Sequence, residues 1–156
     1  MYAAVIRTGN TEAVADHAIW AVWNPHSTQR VKLIAFTMMQ AEAMSAGTAA
    51  RFRRTTARGT PGSSVSADQS NHSIFGVAPA SGLVLDAGPF SVQPTFDGTS
   101  DLAPGIVFTT SQGGGIRYYE FPGGIEIGPG SGLACVQVAA TALAGFQVGV
   151  WWLEDW

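Results

Sequence analysis

The chain has 156 residues, enough for one domain with a real hydrophobic core. Hydrophobic residues make up 46% of it and charged residues only 12%, about half the usual charged share. The formal net charge of -3 weighs against nucleic acid as the main partner, and the single cysteine, Cys135, excludes an internal disulfide.

Nineteen glycines and eight prolines point to many short strands and turns. Low charge together with five tryptophans suits a chain whose surface is partly covered in an assembly; the alternative is a compact β-domain with a neutral surface. No run reaches the roughly eighteen apolar residues of a membrane-spanning helix. The start, MYAAVIRTGNTEAVADH, is too polar for a signal peptide.

Residues 2–6 read as a short strand or an arm, and 8–16 as a polar loop. Residues 18–23 (AIWAVW) form the first convincing strand, followed by a turn at Asn24-Pro25-His26-Ser27. Residues 30–39 (RVKLIAFTMM) predict a second strand. Strict alternation puts Lys32, Ile34, Phe36 and Met38 on one face and Val31, Leu33, Ala35, Thr37 and Met39 on the other. Both faces are largely apolar, as in a strand covered on both sides. Residues 40–50 are a helical turn or a loop. Residues 51–56 (RFRRTT) are strand-like, with Arg51, Arg53 and Thr55 opposite Phe52, Arg54 and Thr56. Residues 58–73 have no periodicity and read as a long loop that is functional, mobile or a crossing between sheets. Prolines 79, 89 and 94 confine the pieces of 74–96 to edges and loops.

Residues 106–110 and 116–121 predict strands, with Gly113–Gly115 as a flexible tip. Pro122-Gly123-Gly124 reads as a turn before a brief strand at 125–127. Two apolar runs, 132–139 and 145–153, flank a short linker at 140–144 and read as a hairpin at the centre of a sandwich. In the second run Phe146, Val148, Val150 and Trp152 share one face. Gln147, Gly149, Trp151 and Leu153 share the other. Trp151 and Leu153 would meet water there, so that face is expected to be covered, in part by another subunit. No repeat of fixed period appears.

No stretch spells a reaction. His17, His26 and His72 lack metal-ligand spacing, and Cys135 inside a strand reads as a buried thiol. No nucleophile elbow appears. Glu120 and Glu126 could meet across a turn as an acid–base pair, but a solvated pair is the commoner outcome. The glycine clusters lack the ending of a phosphate loop. The basic cluster Arg51, Arg53, Arg54 and Arg58 holds half of the Lys and Arg residues; it is either a contact for an acidic protein surface or a solvated strand face. The aromatics Trp20, Trp23, Tyr118, Tyr119, Trp151, Trp152 and Trp156 are core, interface anchors or a sugar-stacking set, with Trp156 expected to be exposed.

Two stretches, RVKLIAFTMMQAEAMSAGTAARFRRTTARGTPGSSVSADQSN and YEFPGGIEIGPGSGLACVQV…FQVGVWWLE, share a pattern. It runs strand, Ala/Ser-rich linker, Arg-Thr-Thr strand with a Gly-Thr-rich loop, then a late Pro-Gly-Gly before a Gly-hydrophobic hairpin. In these stretches, 30–73 and 119–154, the chain resembles a loose group of small tailed-bacteriophage virion proteins; 74–115 carry no resemblance. The resemblance implies a jelly-roll or related β-sandwich that decorates or cements a capsid, often as a trimer. No functional residue carries over from it.

The expectation is therefore an all-β, single-domain β-sandwich, jelly-roll-like, of about eight strands, with residues 1–17 as a strand or arm and 18–156 as the sandwich. The expected function is a structural virion protein: a capsid decoration or cement protein, not an enzyme. It would be assembled in a host cytoplasm, sit on the capsid exterior, and associate with itself as a homo-oligomer, a trimer being favoured, and with the major capsid protein or other virion proteins. No cofactor, metal, catalytic residue, nucleic acid or membrane is expected. The expected contact residues are Arg51, Arg53, Arg54, Arg58, Trp151, Leu153 and Trp156, with residues 1–16 as a second contact. A tail, fibre or head-spike component and a carbohydrate-binding module remain alternatives.

Overall fold

The computed structural model of the chain describes residues 2–10, 12–41, 47–66, 82–98, 101–102, 106–108, 116–141 and 144–154. Among them are eleven strands and no helix. In chain order the strands are β1 (Tyr2–Arg7), β2 (Ala18–Asn24), β3 (Val31–Gln40), β4 (Thr48–Ala57), β5 (Ser63–Ser66), β6 (Val84–Ala87), β7 (Thr95–Phe96), β8 (Ile106–Phe108), β9 (Arg117–Ile127), β10 (Ser131–Gln137) and β11 (Phe146–Glu154). They form two antiparallel sheets. The smaller runs β1-β11-β3-β9; the larger runs β5-β6-β2-β10-β4-β7, with β8 also pairing β4.

The long-range pairing is nested: β1 with β11, β2 with β10, β3 with β9 and β4 with β8. A ribbon of strands folded double and wound into two facing sheets gives this order, which is the jelly roll. The all-β sandwich read from the sequence is the observed fold. Two additions widen it: β5 and β6 extend the larger sheet beyond β2, and β7 pairs the end of β4 that β8 leaves free.

The core lies between the sheets. Tyr2, Ile6, Leu33, Phe36, Phe146, Val148, Val150 and Trp152 come from the smaller sheet, and Trp20, Val22, Phe52, Leu85 and Leu133 from the larger. Its centre is aromatic. The ring of Phe36 lies 5.0 Å from that of Phe52 and 5.5 Å from that of Trp20, and Phe121 meets Phe52 edge-on at 5.6 Å. Each such ring contributes roughly 1.5–3 kcal/mol through burial alone. The buried Trp20 indole N–H donates to Met38 Sδ at 3.2 Å. Cys135 is fully buried, and burial holds its thiol far above its usual pKa, so the thiolate is suppressed.

Three expectations are corrected. First, β10 and β11 are not a hairpin. Both edges of β10 are taken, by β2 and β4, so the chain crosses to the other sheet, where β11 fits between β1 and β3. Second, alternation breaks within β3. Leu33 pairs Trp152 and Ile125, Ala35 pairs Trp151 and Glu120, and Ile34 is the extra residue. That bulge lets Val31 and Leu33 face the core together with Phe36 and Met38, while Lys32 and Ile34 turn outward. Third, Pro122-Gly123-Gly124 is not a turn. It bulges β9 opposite the same Ile34, with Gly123 and Gly124 at φ 77° and 74°, and the strand continues to Ile127. Of the two readings of residues 2–6, strand or arm, the strand is observed. β1 is a sheet strand paired along its length to β11, and the following loop is fastened by Gln137, whose side-chain amide donates to the carbonyls of Glu12, at 2.9 Å, and Val14. The described part of 58–73 contains β5 and not only loop; residues 67–73 lie outside the described residues.

Candidate interaction face

The four arginines expected to act together are dispersed. On β4, Arg51 and Arg53 point away from the core and Phe52 into it. Both arginines meet the same two carboxylates. Arg51 bonds Asp16, Arg53 Nη2 lies 3.7 Å from Asp16, and each Nε lies 3.5 Å from Asp101. The Arg53 guanidinium also rests 5.5 Å from the Phe96 ring centre, and its side chain is nearly buried. Arg58 turns to the neighbouring edge and grips the buried Asp86 with two hydrogen bonds of 2.7 Å, which raises its own pKa; Ser64 completes the network at 2.6 Å from Asp86. Arg54 is exposed at the rim between the sheets beside Asp97 and Ile125, and among the described residues it makes no ion pair. Three of the four therefore hold this chain together.

The candidate catalytic groups do not converge. Glu120 and Glu126 both lie on β9 with the Pro-Gly-Gly bulge between them, and Glu126 pairs Arg30 at 3.6 Å. His17 meets Glu12 at 3.4 Å, His26 packs on Gly82, and His72 lies outside the described residues. Among the described residues no group of three or more His, Cys, Asp or Glu could hold a metal ion. A hollow of about 220 Å³ at the end of the smaller sheet mixes Arg30 and Lys32 with Glu126 and Glu154. The Glu154 carboxylate accepts the Trp152 indole N–H at 3.2 Å.

The feature without an internal explanation is the outer face of the smaller sheet. Exposed apolar side chains stand on all four of its strands or beside them: Val5 at 55%, Met39 at 37%, Ile116 at 65%, Tyr118 at 62% and Leu153 at 38%. Trp151, half-buried, lies among them. Its indole folds over Gly149, where a Cβ would stand 3.3 Å from the ring and 2.7 Å from Thr37 Oγ1. Ala3 and Ala35, its ladder partners on either side, are buried beside it. Tyr118 meets the indole edge-on at 6.4 Å and 67°. Next to this corner is a shallow hollow of about 80 Å³ with Gly149 and Thr37 among its lining and Val5, Met39 and Ile116 around it. Apolar patches of this kind on a soluble domain mark contact surfaces.

Of the expected contact residues, Trp151 and Leu153 are on this face and Trp156 lies outside the described residues. Val5, Met39, Ile116 and Thr37 were not singled out by sequence reading. For Met39 the signal was present as the apolar character of both faces of β3. No protein-family model matches the chain, and neither the curated proteins nor the solved structures include a match.

Proposed function

We propose that the chain is a structural protein of a tailed-phage particle, a capsid decoration or cement protein that works as a homo-oligomer on the outside of the head. The observation that carries this reading is the bare apolar face around Trp151 on a jelly-roll sandwich whose arginines are mostly committed internally. Removing such a face from water yields about 25 cal/mol per Å². A protein present in many copies strengthens a shell through repeated modest contacts rather than one very tight one. Of the four clustered arginines, Arg54 is the one without an ion pair among the described residues and is the one offered to an acidic capsid surface.

The test is to mix the purified protein with empty heads assembled without it and sediment them. Saturable co-sedimentation supports decoration; protein that stays in the supernatant at every concentration sinks it. A second reading, a carbohydrate-binding module, is favoured by the Trp151 floor and the upright Tyr118, since a flat exposed ring stacks on sugar C–H groups. Binding on a glycan array that is lost in Trp151→Ala would select it.

A further inference from the structure

We draw no further inference here: the strongest candidate, the bare apolar outer face of the β1-β11-β3-β9 sheet around Trp151 and Tyr118, carries nothing beyond the reading already given, because nothing among the described residues shows what covers it.

Discussion

The two outer faces of the sandwich are treated oppositely by the same chain. Over the larger sheet, Phe90 packs on Ala18, Ala21, Ala134 and Val136, with Phe96 partly buried at the margin, and loops carrying Asp16 and Asp101 reach the arginines of β4. That face has a second small core of its own over β2 and β10, while Val107 on its edge strand β8 stays exposed. Over the smaller sheet no described segment lies, and Val5, Ile116 and Tyr118 stand in the open. A jelly roll needs only its inner faces buried to fold. A covered outer face therefore adds stability to the monomer, whereas a bare apolar one offers its free energy to whatever docks there.

Paired truncations should separate these roles. Phe90→Ala removes a ring that is 4% exposed and should cost about 3 kcal/mol in urea denaturation, with self-association unchanged. Trp151→Ala on the opposite face should cost under about 1 kcal/mol of monomer stability, because the ring is only half-buried, and should abolish association at micromolar concentration. Equal stability costs would mean that Trp151 is already covered by its own chain, and the contrast would collapse.

The next effect belongs to the edge of the covered sheet. Asp86 is fully buried, and its two oxygens are taken by Arg58 and Ser64. Asp86→Asn keeps the volume but removes the charge that Arg58 grips. Full loss of a partner from a buried pair costs about 3–5 kcal/mol; here the Arg58 side chain keeps 37% of its surface in water, so about 2 kcal/mol is expected from thermal or urea unfolding. In a double-mutant cycle Arg58→Ala should add little to Asp86→Asn. Additive losses would show that the pair is not a unit.

How much of this was legible follows from what each residue pattern encodes. Period-2 alternation in Phe146, Val148, Val150 and Trp152 identified the buried face of β11, because burial on one side is a local property. Which sheet a strand joins is not local. A short linker suits a hairpin and a crossing between sheets equally well, so the pairing of β10 with β2 and β4 was hidden. The Ile34 bulge was hidden for the same reason: it exists only in register with the Pro-Gly-Gly bulge of β9, some ninety residues on. The arginine cluster misled because adjacency in sequence is not adjacency of task. Alternation sent Arg54 to the rim, and Asp16, Asp86 and Asp101 lie far along the chain from their partners. The outward placement of Trp151 and Leu153 was legible, because apolar residues fall there on a strand whose inward positions are already filled.

The smallest expected effect concerns the inner side of the strand that carries Val5 outward. Tyr2 stacks on Trp152 at 5.8 Å and 15°, and its pKa is raised, first by burial and second by the negative charge of Glu154. A phenol whose folded pKa lies above its unfolded value of 10.0 binds its proton more tightly in the native state. The unfolded chain then carries fewer protons in the window above that value, so stability falls as pH rises. The contribution is complete below pH 10 and is lost as pH climbs through the raised folded pKa. Urea denaturation of the native chain and Tyr2→Phe at pH 8 and pH 11 isolates it, since every other titrating group cancels in the difference. The native chain should lose more stability than Tyr2→Phe between the two pH values. Parallel losses would place Tyr2 in contact with water, and would open the floor of the smaller sheet at the end where its outer face carries Trp151 and Leu153.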